Sequence, residues 1–371
     1  LVTPYGAWMR GNFVPWAHPW VYATEGKGHW LEGNARAHLI APTQWSVAED
    51  FKKAGFYVKD CYPVLCSPVR DVEGQGNVFC EAWMKAPECK EQLDIVFYVG
   101  DGFESWTPKT VEVTGMGGSE KMAMMISKEL AVLGHRVRVY SGVGPHGEGI
   151  YDGVEYYSTN KYQDLTCDVL VVSRMANALD DAFNIQAKVK IGWAHDVVMC
   201  NATNRLLLKA DRIFALTEWH KQHLMQQHNL PSEQVIVTRN GVNVERFNEN
   251  LQRQSHKIVN SSSLDRGWKV WFEVWQRVLE AVPDAELHLF YGMENLIKVA
   301  SWNPEKAQEL AYYRDRLEFF KDKGVHYHGR VNEEYLTKQF LSAEIWGHGS
   351  NFTETSCITA MEAQLAGLDI V

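Results

Sequence analysis

The chain of 371 residues is 46% hydrophobic and 22% charged, a composition typical of a globular protein with two or three domains. Its net charge of −9 disfavours a nucleic-acid partner, and no apolar run in the sequence approaches the length of a membrane span. Seven cysteines, an odd number without the tight pairing of a secreted scaffold, favour a reducing, cytoplasmic location.

An apparent internal repeat lies near the start of the chain. Residues 14–19 (Val-Pro-Trp-Ala-His-Pro) resemble residues 191–196 (Ile-Gly-Trp-Ala-His-Asp), and residues 40–45 resemble residues 214–219. Matching anchors in the same order favour a duplicated unit. Chance similarity between Trp-rich segments is the alternative.

We therefore interpret residues 1–92 as a partial Rossmann-like segment with a linker. Within it, residues 13–70 are expected to be a remnant of an upstream module, and residues 71–92 the linker. The cysteines of this segment lack the two-residue gaps of zinc sites, so we do not predict a metal there.

Strands and helices alternate from residue 94 onwards. In the first unit, residues 93–252, strands are predicted over 94–100, 136–140, 168–172, 188–192, 212–215 and 235–237, and helices over 121–133 and 218–228. Such alternation predicts a parallel sheet with both faces covered.

A second unit of the same kind covers residues 253–371. Its predicted strands are 257–260, 285–291, 325–328, 344–346 and 368–371, and its predicted helices are 269–282, 303–321, 332–340 and 360–366. A doubly wound sheet is not expected to end on its last strand, so we expect this domain to be incomplete at its C-terminus.

Two carboxylates, Glu354 and Glu362, stand eight residues apart near the end of the chain. Thr355 and Ser356 suggest a helix start between them, and Gly367 a stop. A helix start offers N–H groups to an anion, and eight helical steps would separate the carboxylates by about 12 Å. That span suits a ligand with a sugar at one end, a ribose at the other and a diphosphate between them. A surface helix with two solvated carboxylates is the alternative.

Two cations follow the first strand of the second unit. Arg266 and Lys269 lie after the loop Ser-Ser-Ser-Leu-Asp, and the sequence contains no Asp-x-Asp metal motif. Without a metal ion, Arg, Lys and helix N-termini must neutralise a leaving diphosphate. A surface ion pair of Arg266 with Asp265 or Asp284 is the alternative.

Two further features lie at predicted strand ends of the first unit. Gly117 and Gly118 precede a helix, where glycine lets the backbone approach a ligand or simply forms a tight turn. His195 follows a strand, where open α/β folds bind ligands, although a hydrogen-bonded core histidine is the alternative. Three histidines on the helix 218–228 are interpreted as a solvated face.

These motifs together resemble the retaining family 4 glycosyltransferases, from about residue 94 to residue 371. The closest match is Glu-x7-Glu followed by Ala-x-x-Ala-Gly and an apolar strand. The chain departs from the family's Gly-Arg…Lys-Gly pattern, because Ser261 replaces the arginine and Arg266-Gly267 occupies the Lys-Gly position; it resembles the Ser-Ser-x-Asp-Arg-Gly variant. The resemblance implies the GT-B fold, in which two Rossmann-like α/β domains face a cleft.

The resemblance also implies roles for individual residues. Catalytic roles fall on His195, Arg266 and Glu354. Donor-binding roles fall on Gly117, Gly118, Ser262, Lys269, Gly329, Arg330, Thr355, Ser356, Cys357, Ile358 and Glu362. The first domain would receive the acceptor, and the second the donor.

The expected function is retaining transfer of a sugar from a nucleotide-sugar donor to a hydroxyl of a sugar, lipid or protein. We expect no metal and no further cofactor, no nucleic-acid partner and no transmembrane segment. One alternative is a non-catalytic sugar- or nucleotide-binding module. Another is an epimerase or dehydrogenase, which the missing third glycine of a dinucleotide fingerprint disfavours.

Overall fold

A computed structural model describes two backbone segments, residues 56–64 and 77–84, and residues 91–371 except 103–104 and 145–146. The chain divides into two units, residues 1–90 and 91–371. Each is described by itself.

Within residues 1–90, β1 (Phe56–Val64) pairs antiparallel with β2 (Asn77–Met84). The segment 71–92, interpreted above as a linker, therefore contains a strand. Most of the proposed repeat over residues 13–70 lies outside the described residues.

Residues 91–371 begin with a sheet of eight strands. We call this sheet, together with its helices, the first lobe. The strands are β3 (Asp94–Gly100), β4 (Arg136–Ser141), β5 (Gly149–Tyr151), β6 (Val154–Ser158), β7 (Thr166–Ser173), β8 (Gln186–Trp193), β9 (Arg212–Ala215) and β10 (Val235–Val237). Their order is β10-β9-β8-β7-β3-β4-β6-β5, and all pairs are parallel except β5–β6. The chain reverses its direction of travel across the sheet at β3, which opens a crevice at the carboxyl ends of the strands.

Alternating side chains of β3 serve two separate cores. Ile95, Phe97 and Val99 pack on one face, and Val96 and Tyr98 on the other. Burial on both faces explains why this strand is a continuous apolar run.

The helices of the first lobe follow the predicted alternation. They are α1 (Thr110–Val113), α2 (Gly118–Val132), α3 (Asn204–Leu207) and α4 (Glu218–His228), with 3-10 turns at Thr159–Lys161, Ala176–Leu179, Asp181–Phe183 and Val244–Phe247. The bounds of α4 agree with the prediction, because Thr217 caps its start through the His220 N–H and Asn229 ends it in the left-handed conformation.

The second lobe contains a parallel sheet of five strands in the order β13-β12-β11-β14-β15. The strands are β11 (Lys257–Asn260), β12 (Glu286–Leu289), β13 (Val325–Tyr327), β14 (Ile345–Trp346) and β15 (Asp369–Ile370). The helices are α5 (Trp268–Ala281), α6 (Glu294–Ala300), α7 (Pro304–Phe320), α8 (Glu333–Ser342) and α9 (Ile358–Leu365).

Helix α5 packs on this sheet through one aromatic stripe. Trp268, Trp271, Phe272 and Trp275 are buried and follow the i, i+3, i+4, i+7 spacing of a helix face. No helix in the described part of the chain combines the length and the apolar character that crossing a bilayer requires.

Candidate active site

A cavity of about 760 Å³ lies between the two lobes. Its walls come from the segments that follow β3, β7, β8, β9 and β10 in the first lobe and β11, β12, β13 and β14 in the second. The predicted site residues that line it are Gly117, Gly118, His195, Ser262, Arg266, Gly329, Arg330, Glu354, Thr355, Ser356, Cys357, Ile358 and Glu362.

Lys269 is placed differently from its expected position at the donor. It does not line the cavity, its side chain is 69% exposed, and its Nζ lies 3.9 Å from Glu273, one turn further along α5. The buried stripe of α5 faces the sheet, so this position points towards solvent. The diphosphate role predicted for Lys269 is not supported by this placement.

Glu354 and Arg266 meet in the cavity. The guanidinium Nη1 of Arg266 donates to Glu354 Oε1, and its Cζ lies 3.2 Å from the centre of the Phe352 ring. Gly267, with φ of +109°, crosses Gly349 so closely that an added Cβ would lie 2.9 Å from the Gly349 carbonyl carbon. The two glycines therefore let the loops carrying Arg266 and Glu354 approach each other.

The predicted helix start at Thr355 and Ser356 is wrong. Helix α9 begins at Ile358 with Cys357 as its N-cap, so Glu354 lies in a loop and the helical separation of about 12 Å does not apply. The Thr355 hydroxyl donates instead to the carbonyl oxygen of His195 at 2.6 Å. This hydrogen bond joins the two lobes at the cavity wall.

Glu362 lies in a buried ion cluster between the lobes. Its Oε1 is 3.1 Å from Lys121 Nζ and 2.9 Å from Arg246 Nη1, and both cations also contact Glu333. The Glu362 side chain is only 6% exposed. Two cations and two carboxylates thus offset one another in a site from which water is largely excluded.

Close contact between the lobes requires the glycine loop before α2. A Cβ on Gly118 would lie 3.2 Å from Ile358 Cδ1, and one on Gly115, whose φ is +69°, would lie 3.2 Å from the Val331 carbonyl oxygen. A Cβ on Gly117 would meet the Glu120 carboxylate. These glycines bring the N-terminus of α2 beside the N-terminus of α9.

His195 is buried and neutral. Burial, with a further contribution from the nearby Arg174 guanidinium, lowers the pKa of His195 to about 4. Its Nε2 has no hydrogen-bond partner, and its ring packs 4.3 Å from that of Trp193. At pH 7 this imidazole is uncharged, and its Nε2 can form a hydrogen bond with a ligand.

Several polar atoms around the cavity are buried without a hydrogen-bond partner. Those on lining residues are His195 Nε2, Asn240 Oδ1, Ser261 Oγ, Arg266 Nε and Asn295 Oδ1. Burying such groups unpaired costs about 1–3 kcal/mol each, so water or a polar ligand in the cavity would satisfy them.

Three cations of this cavity are not marked by any motif in the sequence. Lys121 and Arg246 hold Glu362, and Arg174 donates to Asp196 Oδ2 at 2.8 Å and Glu120 Oε1 at 3.0 Å. Arg174 adopts a left-handed φ of 64°, a conformation that costs energy in a residue with a side chain. The order of residues along the chain gives little indication that these side chains meet.

Three residues shortly before α9 have side-chain groups that could bind a metal. Donor atoms of His348, Glu354 and Cys357 all lie within 4.8 Å of one another. However, Glu354 already pairs with the Arg266 guanidinium, and burial raises the pKa of the Cys357 thiol, which favours the protonated form. The Glu354 carboxylate is already neutralised by the Arg266 guanidinium, so these three residues are poorly suited to hold a metal ion.

The chain has the GT-B fold, with two Rossmann-like α/β lobes enclosing a cleft. No protein-family model matches the sequence, and no curated protein matches it.

Solved structures share the fold at low sequence identity. A glycosyltransferase from Rickettsia africae aligns with 76% of this chain and 79% of its own, at 14% identity and a TM-score of 0.52. Anabaena HepE in complex with UDP-glucose covers 75% and 80%, at 12% identity and a TM-score of 0.51. The catalytic domain of Arabidopsis thaliana starch synthase IV, bound to ADP and acarbose, covers 76% and 82%, at 11% identity and a TM-score of 0.52.

Proposed function

We propose that this protein is a retaining glycosyltransferase that moves a sugar from a nucleotide-diphosphate sugar to a hydroxyl acceptor without a metal ion. The observation that carries the proposal is the Arg266–Glu354 pair, set among buried, unpartnered polar atoms in the cleft of a GT-B fold. The complexes of HepE with UDP-glucose and of starch synthase IV with ADP support a donor of this chemical class.

The diphosphate is assigned to the second lobe. Arg266 would grip it, helped by Ser262 and by the N–H groups at the start of α9, since both the guanidinium and a helix N-terminus attract phosphate. Stacking on Phe352 holds the guanidinium plane in place. These groups would stabilise the negative charge that develops on the leaving diphosphate.

The two carboxylates take different parts of the donor. Glu354, 30% exposed at the cavity wall, would accept hydrogen bonds from hydroxyls of the transferred sugar. Lys121 and Arg246 contact Oε1 of Glu362, which leaves Oε2 to accept from the ribose hydroxyls. Backbone groups at Gly329 and Arg330 would contact the base.

The acceptor is assigned to the first lobe, beside Gly117, Gly118 and His195. Its hydroxyl would attack the anomeric carbon on the face that the diphosphate leaves, and a diphosphate oxygen would take the proton. The neutral His195 would hydrogen-bond to the sugar without adding a charge. We assign Glu354 a binding role and not that of a covalent nucleophile.

The test is transfer from UDP-, GDP- and ADP-sugars without added Mg²⁺ or Mn²⁺, with product anomers followed by NMR. We expect one donor to be used with retention of configuration. Arg266→Ala should lower kcat by at least tenfold because it loses transition-state stabilisation, whereas Glu362→Ala should mainly raise the donor KM.

Lys269→Ala is the matched control, because Lys269 is a cation only three residues from Arg266, at the start of α5, but does not line the cavity. It should leave kcat and KM unchanged. Unchanged transfer in both Arg266→Ala and Glu362→Ala would refute the site assignment, and inverted products would refute the retaining mechanism. Donor binding without any transfer would favour a non-catalytic module.

A further inference from the structure

A group of histidines and one carboxylate lies on two neighbouring strands of the second lobe. Glu286 and His288 alternate along β12, and His326 and His328 lie at the same spacing on and just after β13. His288 is in register with His326. Because residues two apart on a strand share a face, all four side chains project from one face of the sheet.

The distances among three of these side chains suit a transition metal. His288 Nε2 lies 3.2 Å from Glu286 Oε2, and His326 Nε2 lies 3.8 Å from Glu286 Oε1. Ligand atoms of the three residues all lie within 4.8 Å of one another. Ligands about 2.0–2.1 Å from a tetrahedral Zn²⁺ are separated by roughly 3.4 Å, so small rotations of the side chains would complete the geometry.

His328 supplies the supporting contact that metal-binding histidines usually have. Its Nε2 lies 2.9 Å from His288 Nδ1, the nitrogen that faces away from Glu286. If Nδ1 carries the proton and donates to His328, then Nε2 of His288 has its lone pair directed towards Glu286 and His326. His328 is itself held by stacking 4.3 Å from the Phe290 ring.

One positive and one negative group lie beside the cluster. The Lys257 ammonium opposes a nearby cation, but Gln339 and Ser342 hold it at 2.8 and 3.0 Å. The Glu286 carboxylate supplies the compensating negative charge.

We propose that Glu286, His288 and His326 form a binding site for a divalent transition metal of the Zn²⁺ class, with His328 as the residue that orients His288. None of the three ligands lines the cavity between the lobes, so the metal site is separate from the proposed transfer chemistry. Three protein ligands leave a fourth position to water. A bound ion would join β13 to β12 and stabilise the second lobe.

The test is Zn²⁺ binding to the full chain by equilibrium dialysis, with hydrogen exchange of peptides spanning β12 and β13. We expect His326→Ala and Glu286→Gln each to remove one bound ion per chain or weaken its binding at least tenfold. His328→Gln should weaken it about 10- to 100-fold, the usual effect of losing a supporting partner. Zn²⁺ should slow exchange of the β12 and β13 amides in the unsubstituted protein but not in His326→Ala or Glu286→Gln.

His256→Asn is the matched control, because His256 forms a histidine–carboxylate pair with Asp284 at 2.9 Å in the same lobe. Asn tolerates the left-handed φ of 60° found there. This variant should bind Zn²⁺ as the unsubstituted protein does. Equal stoichiometry and affinity in the unsubstituted protein, His326→Ala and Glu286→Gln would overturn the proposal; if His326→Ala does not fold, Glu286→Gln with hydrogen exchange decides it.

Discussion

At the scale of single residues, several polar atoms of the cavity are buried without a hydrogen-bond partner. They include Ser261 Oγ, His195 Nε2 and Arg266 Nε, the last of which lies 3.6 Å from Asp265 Oδ2. A folded protein tolerates such atoms where a ligand replaces the missing contacts. We therefore expect the donor to improve both the hydrogen bonding and the stability of these positions.

His195 should make the protein less stable in mildly acidic solution. The pKa of His195 is near 4 in the folded protein and about 6.5 in the unfolded chain. Between these values the unfolded chain binds more protons, so the free energy of unfolding decreases as the pH is lowered. The loss from this group should reach about 2 kcal/mol at pH 5. Urea unfolding at pH 7 and pH 5 measures it, with His195→Gln as the comparison.

In His195→Gln, the fall in stability from pH 7 to pH 5 should be smaller by that amount. Other buried histidines titrate in both proteins and cancel in the comparison. An identical fall in the two proteins would contradict a neutral, buried His195.

Glu362 should matter for stability as well as for the donor. Glu362→Ala leaves Lys121 and Arg246 with Glu333 as their remaining shared carboxylate, so we expect a loss of about 2 kcal/mol in the free energy of unfolding. Glu362→Gln keeps the volume and an acceptor oxygen and should lose less. Chemical denaturation of the two variants measures the difference, and no loss in Glu362→Ala would contradict the buried cluster.

At the scale of elements, one helix holds much of the second lobe's core. Trp275 of α5 is fully buried and its Nε1 donates to the Lys323 carbonyl at 2.7 Å. Trp275→Ala should therefore cost about 3–5 kcal/mol of unfolding free energy through the cavity it leaves. Trp302, 62% exposed, is the control, and Trp302→Ala should change stability by less than about 0.5 kcal/mol. Equal effects would contradict the assigned face of α5.

The start of α5 depends on the glycine crossing described above. Gly267→Ala must place a Cβ against the Gly349 backbone at a φ of +109°, so it should cost about 2 kcal/mol or more and displace Arg266. Gly241→Ala, where an added Cβ has no neighbour within 4 Å, should have little effect. Thermal unfolding of both variants is the measurement, and equal melting temperatures would count against the close approach of the two loops.

The strongly periodic elements could be predicted from the sequence, and the irregular ones could not. The strands at 94–100, 212–215, 235–237 and 257–260 have the predicted bounds, because apolar runs between turn residues define buried strands. The hairpin of β5 and β6 was missed, since its short strands lack such a run. The start of α9 was misplaced because the Thr355 hydroxyl contacts the other lobe instead of capping the helix.

The candidate site was predictable only where a motif marked it. Glu354, Glu362, Arg266 and the glycine pair line one cavity, whereas Lys269 does not. Lys121 lies in the same cavity although it is 241 residues from its partner Glu362. Contacts of this kind depend on how the two lobes pack, which neither spacing nor composition encodes.

At the scale of the whole molecule, contacts between the lobes and the proposed chemistry share the same residues. Lys121 of the first lobe pairs with Glu362 of the second, and Thr355 donates to the His195 carbonyl across the cleft. A ligand that contacts both lobes there would reinforce these bonds. Donor binding should therefore raise the melting temperature of residues 91–371, with both lobes unfolding in a single transition.

The most direct test of the central claim is calorimetric titration of the protein with UDP-, GDP- and ADP-sugars in buffer without added Mg²⁺ or Mn²⁺, repeated with Glu362→Ala. We predict saturable, equimolar binding of one donor, and a loss of at least tenfold in affinity in the variant, because Glu362 is proposed to accept hydrogen bonds from the ribose. Failure of every donor to bind, or the same affinity in both proteins, would contradict a nucleotide-sugar held between the lobes.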